Sequence, residues 1–160
     1  MASAACLLGG DYEGLNPDDP REQAWLWNGQ RWMAPVTHEA PPAVSLVAAV
    51  GDPERKSVLI YGGFAVLGPR RYGPPSGDVW EWDRTRWHRV ETTTGPGERA
   101  HHAMAYDSKR HRIVVRGGTR PDKVHPTDTW EWDGQVWHRA ASDGAGPGGG
   151  FAWPMTRLER

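Results

Sequence analysis

The residues best suited to chemistry in this sequence are its seven histidines and its single cysteine. His101 and His102 are adjacent, so in a strand they point to opposite faces and do not line one site together. Cys6 excludes an internal disulfide bond and a multi-cysteine zinc site. No catalytic Ser-His-Asp order, pair of catalytic carboxylates or phosphate-binding loop is recognisable. We therefore expect no catalytic residue, no metal and no cofactor, and we favour a non-catalytic protein over an enzyme.

A second group of chemically useful residues lies in two long connections between apolar segments. These candidate partner-binding residues are Arg70, Arg71, Tyr72, Arg120, Lys123 and His125. An earlier connection is acidic instead, at Asp11, Glu13, Asp18 and Asp19. The charges either only keep the loops solvated or form a polarised surface for a protein or an anionic sugar.

The overall charge limits the class of partner. The chain has 160 residues, the length of one domain, with 19 basic and 20 acidic side chains and a net charge of -1. Because no positive charge is in excess, nucleic acid is not expected as a partner. No apolar run approaches the length of a membrane span, so no membrane partner is expected either. No signal peptide is recognisable, and the compartment is left open.

The tryptophans indicate how these connections are positioned. Nine of the ten tryptophans belong to a short pattern that occurs three times, at residues 24–32, 78–89 and 128–139. The first tryptophans of successive copies stand 55 and 50 residues apart. A repeat of this length indicates an array of similar supersecondary units.

Each copy of the tryptophan pattern follows an apolar run that ends in two glycines. The glycine pairs are Gly9-Gly10, Gly62-Gly63 and Gly117-Gly118. Such a run predicts a strand that is buried on both faces. A further strand is predicted before two of these runs, at residues 44–50 and 101–106. We call the preceding strand a, the apolar run b, and the two strands of the tryptophan pattern c and d.

Strands c and d are predicted to form a tight hairpin. Asn28-Gly29 and Asp133-Gly134 favour a two-residue turn, because such a turn needs positive φ at both central positions. That turn would place Trp130 opposite Trp137, Arg139 opposite Asp128 and, in the middle copy, Arg89 opposite Asp78. Since the indoles recur at fixed strand positions, they are expected to pack in the core.

Four-stranded units with a wide apolar face must cover that face with a neighbouring unit, and radial stacking of such units gives a β-propeller. The predicted fold class is therefore all-β, with about three blades in one propeller-type domain. The predicted blades span residues 2–34 (lacking strand a), 44–90 and 99–140, and residues 150–158 would be the first strand of a further blade. The chain is then either part of a larger propeller or half of a ring that a homodimer closes.

The double glycine of strand b, an aromatic residue in strand c and a tryptophan in strand d together resemble the Kelch repeat. The clearest copy is Gly117-Gly118 with Trp132 and Trp137, preceded by Arg99 and His102 at the positions that open the family's strand a. The resemblance implies a propeller of the galactose oxidase and Kelch-like superfamily. Galactose oxidase holds copper with tyrosine and histidine ligands, one tyrosine being crosslinked to a cysteine. Cys6 and the four tyrosines lack that context, so no copper is expected.

The alternation of strand direction brings the long connections to one end of each unit. The b–c connections are residues 11–23, 64–77 and 119–127, and the d–a connections are residues 34–42, 91–98 and 141–149. Loops held by a rigid scaffold commonly carry binding residues, so this loop-rich face is the predicted site. The predicted function is a non-catalytic scaffold that binds a protein partner there. The alternatives are a carbohydrate-binding module, a fragment of a galactose-oxidase-like secreted enzyme, and a half-propeller that self-assembles.

Overall fold

The computed structural model describes residues 5–8, 24–27, 30–33, 39–68 and 71–141. Within these ranges the regular structure consists of strands. They are β1 (Ala5–Leu8), β2 (Ala24–Trp27), β3 (Trp32–Met33), β4 (Val44–Ser45), β5 (Ala48–Asp52), β6 (Ser57–Tyr61), β7 (Phe64–Gly68), β8 (Arg71–Pro75), β9 (Val79–Trp82), β10 (Trp87–Val90), β11 (Ala103–Asp107), β12 (Arg112–Arg116), β13 (Thr129–Trp132) and β14 (Trp137–Ala141). A helix long and apolar enough to cross a membrane does not occur in this described part.

The strands form antiparallel sheets in the predicted a-b-c-d order. The middle sheet is β5-β6-β9-β10, and the last sheet is β11-β12-β13-β14. The first sheet, β1-β2-β3, contains the equivalents of strands b, c and d. The predicted all-β fold of four-stranded antiparallel blades is therefore confirmed. The proposed further strand at residues 150–158 lies outside the described residues.

The main core lies between the middle and last sheets. Alternate residues of the middle sheet, including Leu59, Tyr61 and Val79, pack against Trp132 and Trp137 of the last sheet. The opposite face of the middle sheet buries a second cluster of Ile60, Trp82 and Trp87. Strand b of the middle sheet is thus buried on both faces, as its continuous apolar run predicts. In the last sheet the prediction is wrong, because β12 buries only its alternate residues Ile113 and Val115.

The register of the c–d hairpins differs from the prediction by two residues. Trp132 pairs with Trp137, and Trp130 pairs with Arg139. The turn is wider than predicted because the Asp133 carboxylate accepts hydrogen bonds from the N–H groups of Gln135 and Val136. A shift of two residues keeps each side chain on the same face of the sheet. Indoles of strands c and d are therefore still in contact, and in the last sheet the ring centroids of Trp132 and Trp137 lie 5.2 Å apart.

The predicted strand a at residues 44–50 is broken in the structure. Leu46 has φ of 57°, a left-handed conformation that ends β4 and separates it from β5. β4 then pairs with β7, which lies in the 64–77 segment predicted as a loop. That segment folds because Val66, in the middle of β7, is buried against the fold. We call the resulting three-stranded sheet, β4-β7-β8, the loop sheet.

The double glycines allow the end of strand b to approach the next sheet closely. Gly62 and Gly63 have φ of 70° and 93°, and Gly117 and Gly118 have φ of 69° and 105°. A Cβ atom on Gly62 would lie 2.3 Å from the carbonyl oxygen of Arg99. The Gly63 N–H donates to that same oxygen at 2.9 Å. A side chain at Gly62 would therefore collide with the segment that begins the last sheet.

The first sheet departs from the expectation that its repeated indoles are buried. Its Trp27 and Trp32 rings pair at 5.4 Å, much as the equivalent rings do in the other sheets. Trp25 and Trp32 are nevertheless 39% and 45% exposed. The core prediction is therefore wrong for these two residues, whose indoles stay partly open to solvent although they occupy repeat positions.

Candidate functional site

The loop sheet lies at the loop-rich face, because it joins the segment before strand a to the b–c connection of the middle sheet. Val44 and Val66 are buried beneath it at 7% and 8% exposure. Leu46, Leu67 and Tyr72 are half exposed, at 51%, 56% and 53%. The connections therefore form an ordered platform with large apolar side chains facing solvent.

The predicted site residues of this connection fall at the beginning of β8. Tyr72 pairs with Val66, and Arg71 pairs with Gly68. Both Arg71 and Tyr72 are exposed. Arg70 lies outside the described residues. Two members of the predicted set are thus held on a strand rather than in an irregular loop.

The remaining predicted site residues lie together in the b–c connection of the last sheet. The Lys123 N–H donates to the Arg120 carbonyl oxygen at 2.9 Å, and the Arg120 N–H donates to the Val124 carbonyl oxygen at 3.0 Å. The Nδ1 atom of His125 lies 3.2 Å from the hydroxyl of Thr119. These bonds hold Arg120, Lys123 and His125 in one closed turn. No hydrogen bond or ion pair in the described ranges joins this turn to Arg71 or Tyr72.

A buried ion pair that the sequence did not predict lies beneath this turn. Arg99 is 0% exposed, and its Nη1 atom donates to Oδ1 of Asp128 at 2.9 Å. The same Nη1 atom donates to the Gly117 carbonyl oxygen at 2.9 Å. The expected pair between Arg139 and Asp128 is therefore wrong. The sequence analysis singled out Arg99 by resemblance alone, and it did not indicate its acidic partner.

Asp128 receives several donors at once. The Trp130 Nε1 atom donates to its Oδ2 atom at 2.8 Å, and Arg120 Nη2 lies 3.5 Å from the same oxygen. Burial raises the pKa of Asp128, but hydrogen bonds from Arg99 and Trp130 outweigh it, so the pKa lies below its usual value. Since Arg99 is buried, the charges of this turn at the surface are those of Arg120 and Lys123, together with the opposite charge of Asp122.

His102 packs beside this pair as a neutral core residue. It is 3% exposed, and its ring centroid lies 4.8 Å from that of Tyr61. Burial, followed by the nearby charge of Arg99, lowers the pKa of His102 to about 3. Burial also raises the pKa of Tyr61, whose hydroxyl donates to the Gly97 carbonyl oxygen. These groups fix the beginning of the last sheet against the end of β6.

The pKa of His102 predicts a loss of stability in mild acid. The unfolded chain binds a proton at His102 below pH 6.5, whereas the folded protein does not until about pH 3. Stability therefore falls as the pH drops, by about 2 kcal/mol between neutral pH and pH 5. Urea unfolding at a series of pH values should show this loss. His102→Phe should remove it and the exposed-site control His125→Gln should keep it; an unchanged pH profile in His102→Phe would contradict the assignment.

The described residues contain no group of three or more histidine, cysteine, aspartate or glutamate side chains that could hold a metal ion.

No family model matches the sequence, and no curated protein matches it. Among solved structures, the fold is similar to YjhT, a β-propeller-type protein, with a TM-score of 0.61 and 12% identity. The similarity covers 76% of this chain and 46% of that structure, so the chain spans about half of its length. The described sheets thus have the fold of propeller blades.

Proposed function

We propose that this chain is a Kelch-type propeller segment that binds a protein partner through its loop-rich face. The double glycines with positive φ support the Kelch assignment, and the Gly62-Gly63 pair meets the start of the last sheet at Arg99. The paired tryptophans of strands c and d recur with the same ring geometry in the first, middle and last sheets. The buried Arg99 and His102 give the two motif positions of strand a a structural role.

The loop sheet is the observation that carries the binding proposal. Connections that only needed to stay hydrated would not require an ordered sheet, and this one exposes Leu67 on one face and Tyr72 on the other. Tyrosine and arginine are enriched in the residues that dominate protein interfaces, and Arg71 and Tyr72 are both exposed at the beginning of β8. The positively charged turn at Arg120 and Lys123 belongs to the same face and favours a partner with acidic side chains.

Photo-crosslinking in the native cell tests this proposal. A benzophenone amino acid at Tyr72 should give a discrete protein adduct, whereas the same group at Val136 should not. Val136 is 43% exposed but lies in the c–d turn at the opposite end of the blade, which makes it a matched control. Equal labelling from both positions would refute the assignment of the face.

A further inference from the structure

The first sheet presents an aromatic face whose equivalent in the last sheet is buried. Trp27 and Trp32 are paired across β2 and β3, and the alternation of side chains along β2 puts Trp25 on the same face. The equivalent residues Trp132 and Trp137 are 2% and 4% exposed because they pack against the middle sheet. Trp25 and Trp32 are 39% and 45% exposed instead. Within the described part of the chain, the aromatic face of the first sheet is therefore not covered as its equivalent is.

The last sheet presents a second open face. Its strand β12 buries Ile113 and Val115 against the middle sheet, so alternation places Arg116 on the opposite face. Arg116 immediately precedes its double glycine, as Tyr61 does in the middle sheet. Tyr61 packs there against Trp137, with ring centroids 5.5 Å apart. Arg116 therefore stands at the position from which the middle sheet offers a ring to a neighbouring indole.

The open face of the last sheet is more polar than its equivalent in the middle sheet. Leu59 and Val79 of the middle sheet are each 1% exposed. Val114 and Thr129 take their places in the last sheet, and both are half-buried. The Arg116 Nη1 atom donates to the Thr129 hydroxyl at 2.8 Å. A partner on this face must therefore accommodate a guanidinium group that is held on the sheet.

We propose that two copies of this chain associate head to tail, with the aromatic face of one copy packed on the open face of the other copy's last sheet. The contact repeats the packing between the middle and last sheets. Arg116 takes the place of Tyr61, and Trp32 of the second copy takes that of Trp137. A planar guanidinium group stacks on an indole ring by a cation–π interaction, so the exchange of tyrosine for arginine preserves the contact.

Three observations favour a second copy over an unrelated partner. Each chain carries both faces, so a pair closed by two-fold symmetry makes the contact twice and covers all four faces. One chain matches 46% of the similar β-propeller-type structure, so two copies supply the sheets of about one such propeller. The third observation is charge. The segment between β12 and β13 carries Arg120 and Lys123 against Asp122, whereas the segment between β1 and β2, which lies outside the described residues, is acidic in sequence at Asp11, Glu13, Asp18 and Asp19. Head-to-tail packing brings these segments to adjacent sheets, where opposite charges attract.

Sedimentation equilibrium of the full chain over a range of protein concentrations tests the inference. A concentration-dependent dimer is expected, and the dilute chain is a monomer with half-exposed indoles. Trp32→Ala and Arg116→Ala should each raise the dissociation constant of the dimer by roughly tenfold. Arg116→Tyr restores the residue that the middle sheet uses at this position and should keep the dimer. The control Arg86→Ala lies in the β9–β10 turn, where its side chain is 74% exposed, and should leave the dissociation constant unchanged.

A double-mutant cycle tests the stacking itself. If Trp32 and Arg116 touch across the contact, the variant with both alanines should weaken the dimer by less than the product of the two single effects. A full product would overturn the stacking. A chain that stays monomeric at about 1 mM would overturn the association, and so would a dimer that both single variants leave unchanged.

The inference does not depend on the protein partner proposed above. A dimer that only Tyr72→Ala dissociates would place the contact on the loop sheet and would overturn the head-to-tail arrangement. Crosslinking at Tyr72 to another protein can fail while the dimer forms, and the reverse outcome is equally distinguishable.

Discussion

Replacing Arg99 with methionine should destabilise the fold by about 3–5 kcal/mol. The substitution leaves the Asp128 carboxylate buried at 0% exposure without its principal counter-charge. It also removes the donors to the carbonyl oxygens of Gly117 and Pro96, which join the double glycine to the preceding connection. Arg120, 3.5 Å from Asp128, can replace only part of that interaction.

Urea unfolding followed by circular dichroism measures the loss, and the repeat supplies a matched control. Arg89 pairs with Asp78, the repeat equivalent of Asp128, but at the surface, where its side chain is 53% exposed. Arg89→Met should therefore have little effect. Adding Asp128→Asn to Arg99→Met should restore part of the stability, because an uncharged amide does not need a counter-charge. Arg99→Met and Arg89→Met proteins of equal stability would contradict the assignment of the buried pair.

The repeat made much of the fold predictable. Copies of one apolar run and one tryptophan pattern imply copies of one sheet, and strand parity places the long connections at one end. The Asp78–Arg89 ion pair was also predicted and is present at 2.5 Å. The hairpin register was wrong, because the side chain of Asp133 accepts two backbone N–H groups and widens the turn. A rule based on the Asp-Gly dipeptide does not take that carboxylate into account.

The candidate site was less predictable because it depends on contacts between distant segments. The break at Leu46 follows from pairing with β7 and from the hydrogen bond that its carbonyl oxygen accepts from His101. Neither interaction has a local sequence pattern. Asp128 was assigned to its hairpin partner, Arg139, whereas the structure pairs it with Arg99, from the preceding connection. Rules that consider only the residues of a hairpin cannot identify an ion-pair partner that belongs to another segment of the chain.

Equivalent tryptophans with different exposure show whether repeat position or burial determines what an indole contributes to stability. Trp32, Trp87 and Trp137 are equivalent in the sequence, but Trp32 is 45% exposed and Trp87 is 1% exposed. Trp87→Ala should destabilise the fold by about 3–5 kcal/mol, because it removes an indole from the cluster with Ile60 and Trp82. Trp32→Ala should lower the free energy of unfolding by about 1 kcal/mol, which is the typical contribution of an aromatic pair such as Trp32 and Trp27.

Urea unfolding of both variants at the same protein concentration gives the comparison, with circular dichroism as the probe because the fluorescence of each variant differs. If Trp87→Ala lowers the free energy of unfolding much more than Trp32→Ala does, burial and not the repeated sequence determines what each indole contributes to stability. An equal loss of unfolding free energy in the two variants would mean that the first sheet is covered in solution. Sedimentation equilibrium then tests whether a second copy of the chain covers the first sheet. A dimer that dissociates in the Trp32→Ala variant would show that it does.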